Sequence, residues 1–122
     1  MVNALNWFEL PALDFERALK FYNSIFEFEM PQLEMGKCKM GFFPCERSSV
    51  GGAVVAGEGY KPSKEGALIY LNAQPDMNNV LSKIEPAGGK IITPKTLIKE
   101  EHGYFAIFID SEGNRVALHS MK

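Results

Sequence analysis

Residues 4–26 read ALNWFELPALDFERALKFYNSIF, and residues 67–84 read ALIYLNAQPDMNNVLSKI. In the first stretch the apolar run Ala4 to Leu10 leads to Asp14, a residue type that caps helices, and then Phe15, Ala18, Leu19, Tyr22, Ile25 and Phe26 recur at helical spacing. In the second, Ala67 to Leu71 leads to a Pro75-Asp76 helix start and then Met77, Val80, Leu81 and Ile84 on the same spacing. The chain is thus written twice. Each copy predicts a strand, an amphipathic helix and a run of short strands, over residues 4–57 and 67–122, with residues 58–66 as the linker. The fold class expected is α+β, with two βαβββ modules forming a curved, cup-like mixed sheet with helices outside, in one domain over residues 1–122. A concave space between two modules is a place for a ligand.

Outside the helices, glycine and proline punctuate the chain. Pro31 and the polar residues after Phe28 stop the first helix; a short strand follows around Gln32 to Glu34, and Met35 to Phe43 reads as a strand pair or bent hairpin. Pro44 to Ser49 is a turn, and Val50 to Ala56 an apolar strand in which Gly51 and Gly52 permit close backbone approach. Gly88-Gly89 ends the second helix. Lys90 to Ile98 is a strand placed at an edge or bulge by Pro94, Tyr104 to Ile109 is a continuous apolar strand, and Asp110 to Asn114 is the turn into a last strand, Arg115 to His119.

Composition narrows the functions. The 122 residues carry a formal net charge of -2 without a basic cluster, which gives no electrostatic reason to expect nucleic acid. No apolar run is long enough to cross a bilayer, and the N-terminus lacks the layout of a signal peptide, so no membrane partner is expected and the location expected is cytoplasmic. Cys38 and Cys45 suit that compartment as inert free thiols.

Two segments carry a resemblance: Phe8-Glu9-Leu10-Pro11 through Phe21-Tyr22, and Asp110-Ser111-Glu112-Gly113-Asn114-Arg115-Val116-Ala117-Leu118-His119. With the two-module layout, they make the chain resemble the vicinal oxygen chelate superfamily, which includes glyoxalase I, bleomycin-resistance proteins and extradiol dioxygenases. The resemblance implies a metal held by four side chains, and here the sequence departs from it. The first-strand histidine, six residues before the helix-capping aspartate, corresponds to Trp7. The glutamate of the closing motif corresponds to Ala117. The remaining two positions fall near Gly52 and Ala67 or Leu68. None of these side chains donates to a cation, so neither metal nor other cofactor is expected. The resemblance also implies a homodimer, to which open strand edges would lend themselves.

Strand alternation says what lines the cup instead. If Trp7 faces it, so do Leu5 and Glu9; Arg115, Ala117 and His119 face it from the last strand, and Leu68, Tyr70 and Asn72 from the first strand of the second module. The candidate ligand-binding residues are Trp7, Glu9, Phe42, Tyr70, Arg115 and His119, with Glu9 and His119 as the candidate catalytic pair. Glu9 admits two readings: a polarising group or general base, or a carboxylate that is satisfied by Arg115 or by a backbone N–H or simply lies in a wet cleft. His119 is either an exposed histidine at a strand end or one member of an acid–base cluster with Glu9 and Tyr70. His102, after Glu100 and Glu101, reads as a solvated turn residue. The function expected is metal-independent binding of a small molecule in the cup. The alternative is a lyase, isomerase or dioxygenase of the same family with a displaced metal or acid–base site, and a pure interaction module is disfavoured by the polar inward residues.

Overall fold

In the computed structural model, which describes residues 3–122, the two halves fold as βαβββ modules in an α+β arrangement. The first comprises β1 (Trp7–Pro11), α1 (Phe15–Phe26), β2 (Gln32–Met35), β3 (Cys38–Phe42) and β4 (Gly51–Ala56). The second comprises β5 (Tyr70–Asn72), α2 (Asn78–Ile84), β6 (Lys90–Lys99), β7 (Gly103–Ile109) and β8 (Arg115–Ser120). Each module forms a four-stranded mixed sheet of the same design, ordered β1-β4-β3-β2 and β5-β8-β7-β6, with one parallel pair (β1 with β4, β5 with β8) and two antiparallel ones.

The helix α1 forms where its residues allow a stripe to be buried. Phe15, Ala18, Leu19, Phe21, Tyr22 and Ile25 all lie inside, and each large side chain among them removes enough apolar surface to contribute about 2 kcal/mol. The Asp14 carboxylate accepts from the Arg17 N–H at 3.1 Å, filling one of the orphan donors of the first turn. The helix ends one residue after Phe26, where Glu27 takes the left-handed conformation at φ 54°. The second helix is shorter and starts later than Pro75-Asp76 implies. Asp76 makes its bond to the Asn78 N–H at 2.9 Å in a turn before the helix, and Met77, its side chain buried, is the uncapped N-terminal residue.

Two strand boundaries differ from expectation. The first strand is Trp7–Pro11 rather than Ala4 to Leu10, and β5 keeps only Tyr70–Asn72 of the run from Ala67. Parallel pairing sets both limits: Trp7 through Pro11 lie opposite Gly51 through Val55, and Tyr70 through Asn72 opposite Ala117 through His119. Leu5 and Leu68 therefore lie just outside the ladders. Pro94 lies on β6, an edge strand of the second sheet, and the β6–β7 register shifts before it, between Ile91 and Thr93, and across it, between Thr93 and Thr96. A residue without an N–H fits there at no loss to an inner ladder.

One core spans both modules, joining Leu10, Phe21, Tyr22 and Val54 to Leu71, Ile84, Phe108 and Leu118. The turn Asp110–Asn114 reinforces that joint with a polar clasp. Glu112, its side chain fully buried, accepts from the Leu13 and Asp14 N–H groups at 2.9 and 2.8 Å and pairs with the Arg17 guanidinium at 2.7 and 3.0 Å. The Asn114 amide donates to the Pro11 carbonyl at 2.7 Å, and the Tyr22 hydroxyl donates to Asp110 at 2.7 Å. The turn of the second module thus closes the helix N-terminus of the first, where negative charge is favoured.

Candidate functional site

The face of each sheet turned away from the helices follows from the registers. On the first sheet Glu9 lies opposite Ala53, and Ala53 opposite Phe42; Trp7 lies opposite Gly51, and Met40 opposite Val55. On β2, Leu33 and Met35 lie opposite Met40 and Cys38. This face therefore carries Trp7, Glu9, Phe42, Met40, Leu33 and Met35 around a floor of small residues that includes buried Ala53 and Val55. Alternate residues Phe8, Leu10 and Val54 go to the core cluster or pack against it.

Glu9 is exposed on β1, at the edge of this sheet, and has both oxygens engaged. The Trp7 indole N–H donates to Oε2 at 3.3 Å, and the Tyr60 hydroxyl donates to Oε1 at 2.9 Å. That hydrogen bond, together with the charge of Glu9, raises the Tyr60 pKa above the usual phenol value. Trp7 is 43% exposed, and its ring lies 6.0 Å from that of Phe42 at 58°, so the indole retains open surface beside the carboxylate. Tyr60 was not among the expected site residues. It comes from the glycine-rich linker, where no periodicity indicates which way a side chain points, and only the folded chain brings it to Glu9.

The corresponding face of the second sheet bears Tyr70 and Asn72 from β5 and Arg115, Ala117 and His119 from β8, with Tyr70 opposite Ala117 and Asn72 opposite His119. None of their polar contacts reaches Glu9. The Arg115 Nε donates to the Lys64 carbonyl at 3.2 Å, and the His119 Nε2 lies 2.7 Å from the His102 carbonyl. Asn72 accepts from the Gln74 N–H at 2.9 Å. Glu9 is thus held by Trp7 and Tyr60 rather than by Arg115, and the hydrogen bonds of Glu9 and His119 lead to different partners. The structure brings Trp7, Glu9 and Phe42 together on one sheet, and Tyr70, Arg115 and His119 on the other. His102 lies in the exposed turn before β7.

The donor set does not fit a family-type metal. The Trp7 indole N–H can only donate and is directed to Glu9, and Ala117 is fully buried. Gly52 cannot be a cup position in any case, because a Cβ built there would collide with the Phe8 ring on the core side; its neighbours Gly51 and Ala53 face the cup. Opposite Ala117 stands Tyr70 rather than Leu68. Among the described residues no three His, Cys, Asp or Glu side chains converge.

A cavity of about 1030 Å³ opens at the junction of the modules, between the start of β1 and β5, and shares Gly51, Tyr70 and Asn72 with the cup faces. Phe8, Phe26, Phe28 and Phe43 line it with Ile69 and Leu71, and Tyr70 is the only one of the expected ligand-binding residues that reaches it. Its aromatic rings pack on one another, with Phe8 and Phe43 at 5.4 Å and Phe26 and Phe28 stacked at 5.3 Å. Those apolar walls belong to the core or pack against it, while Asn3, Glu46, Ser49, Asn72 and Gln74 give the cavity a polar side.

Two sheets of β1-β4-β3-β2 design with helices on one side and an open face on the other define a glyoxalase-type domain. The family model for the Glyoxalase/Bleomycin resistance protein/Dioxygenase superfamily matches residues 4–118, and the chain belongs to that superfamily. No curated protein matches it. Among solved structures, a mutant of glyoxalase I from Zea mays is similar with a TM-score of 0.73 at 17% identity, over 97% of this chain and 45% of that one. The chain thus spans a little under half the length of the maize protein. A glyoxalase/bleomycin resistance protein/dioxygenase family enzyme from Burkholderia phytofirmans has a TM-score of 0.70 at 14% identity, over 96% of this chain and 98% of that one. TnmS3, an antibiotic binding protein from a Streptomyces species, has a TM-score of 0.67 at 18% identity, over 97% of this chain and 95% of that one. Identities at this level show a shared fold. No helix among the described residues is long and apolar enough to cross a membrane.

Proposed function

We propose that this chain binds a small organic molecule on the open face of the first sheet, against Trp7, Phe42 and Glu9, without the metal of its family. The carrying observation is the arrangement of Glu9: a carboxylate on an apolar, solvent-reachable face, with Trp7 and Tyr60 each donating to one oxygen. Such a group is preoriented as a hydrogen-bond acceptor, and binding sites combine apolar walls with a few oriented polar groups. Tyr70, Arg115 and His119 form the second wall of the cup in this reading. That TnmS3 binds an antibiotic shows that this fold can serve in binding. An enzymatic reading with Glu9 and His119 as acid and base draws no support from their separate hydrogen bonds.

The test is a pair of titrations. Hits from a small-molecule library are expected to change the emission of Trp7, the only tryptophan, and to lose affinity in Trp7→Ala. Nickel, zinc, iron or manganese added to chelator-treated protein is expected to give no tight equivalent, since Glu9 and His119 would at most supply two donors. Hits that leave Trp7 unperturbed would move the site elsewhere. One tight metal equivalent, abolished by Glu9→Gln or His119→Ala, would restore the enzymatic reading.

The same proposal includes a homodimer and a cytoplasmic location, the latter in keeping with free thiols at Cys38 and Cys45. Leu33 and Met35 on β2 and Ile92, Leu97 and Ile98 on β6 are exposed apolar residues on edge strands, which are apt to pair with a second chain. Sedimentation equilibrium at micromolar concentration is expected to show a dimer; monomer alone would remove this part of the proposal.

A further inference from the structure

We infer that the ligand of the first sheet's face is a cation, a protonated or quaternary amine carried on an apolar or aromatic body. This inference rests on the binding reading above and names its ligand class. On that face Glu9 stands among Trp7, Phe42, Met40, Leu33, Met35, Ala53 and Val55, and the registers place no other carboxylate and no basic residue on this sheet's face; Arg115 and His119 stand on the second sheet, bonded to the Lys64 and His102 carbonyls. The ion pairs among the described residues join Arg17 to Glu112, Lys83 to Glu27 and Lys95 to Asp76, so Glu9 has no cationic partner among them. Its two hydrogen bonds come from neutral donors, an indole N–H and a phenol O–H. They fix the carboxylate in place and leave its charge uncancelled.

An anion so placed selects by charge. A neutral ligand covering Glu9 would strip water from a carboxylate and return at most a hydrogen bond from a neutral donor, and an anionic ligand would add repulsion. An ammonium group replaces that water with a charge-assisted hydrogen bond or ion pair. The rings reinforce the preference, since the indole of Trp7 and the phenol of Tyr60 both adjoin the carboxylate and present faces that attract cations. Phe42, 6.0 Å from Trp7, continues the aromatic wall for the body of the ligand.

Three probes of one shape separate charge from fit: 2-phenylethylammonium, 2-phenylethanol and phenylacetate. Titrations followed by Trp7 emission and by the Trp7 indole N–H resonance are expected to show the ammonium binding about tenfold or more tightly than the alcohol, with phenylacetate weakest. Glu9→Gln should reduce the preference for the ammonium over the alcohol to within about twofold, while the alcohol binds as before. Tyr60→Phe, which keeps the ring and loses the hydroxyl, should weaken the ammonium without erasing its preference. Equal affinity for all three, or a preference for phenylacetate, overturns the cationic ligand class and leaves the binding site standing. If none of the three perturbs Trp7, both the class and the site fall.

Discussion

Replacing Glu112 by alanine is expected to destabilise the protein by about 3 kcal/mol, a large share of the stability of a domain this size. The change removes the acceptor of two backbone N–H groups, those of Leu13 and Asp14, and leaves the Arg17 guanidinium unpaired at the entrance of α1. Because Arg17 is half exposed and recovers some hydration, the loss falls at the lower end of the range for breaking a buried ion pair. Thermal or urea unfolding measures it, and a double-mutant cycle with Arg17→Ala separates the ion pair from the backbone bonds.

The effect depends on pH, with a sign set by the carboxyl. Burial pushes the Glu112 pKa up, but the bonds from Arg17, the Asp14 N–H and Ser111 outweigh it and hold the value below the usual carboxylate range. A carboxyl depressed in the folded state stabilises above its unfolded pKa, about 4.3, and loses that contribution as pH falls through the folded value. The gap between the wild type and Glu112→Ala is therefore widest near neutral pH and narrows in acid. A gap that widened in acid would contradict the clasp. Asp110 works in the opposite sense, since burial raises its pKa over the bonds from Tyr22, Asn114 and Glu112. Its contribution is complete below the ordinary carboxylate pKa and declines as pH rises through the raised one.

Phe21→Ala is expected to cost about 4 kcal/mol, the middle of the scale for emptying a core aromatic site. Phe21 is 1% exposed and packs edge-on against Tyr22 at 4.9 Å and against Phe108 of the second module at 6.0 Å. Its ring also covers Gly89, where an added Cβ would approach it to 2.9 Å. The cavity left by its removal would lie between two elements of different modules, and neither can collapse without disturbing its sheet. Denaturant unfolding should show the loss, while Trp7→Ala, on an open face, should cost less than about 1 kcal/mol. A cost at Trp7 as large as at Phe21 would mean that the cup face contributes to the folded core as well as to binding.

Which residues share the cup faces was legible from alternation. Placing Trp7 and Glu9 on one face and Phe8 and Leu10 on the other needed only the period of a strand, and the observed registers put them there. The same reasoning placed Arg115, Ala117 and His119 together. It failed at Gly52, where counting along the family pattern ran one residue out of phase with the face. It also could not find Tyr60, whose partner lies 51 residues away, nor give Glu112 a role beyond its turn.

The sequence alone determined the repeat, the two amphipathic helices and the α+β class. These properties follow from local spacing, which a chain carries before it folds. The tertiary structure decided the ends of β1 and β5, because a parallel strand extends only as far as its partner pairs with it. It decided that Glu9 is held by Trp7 and Tyr60 rather than by Arg115, and that Glu112 secures the helix of the other module. Those are bonds between groups distant along the chain or brought together by the linker's course, and their partners were selected by packing, to which periodicity is blind.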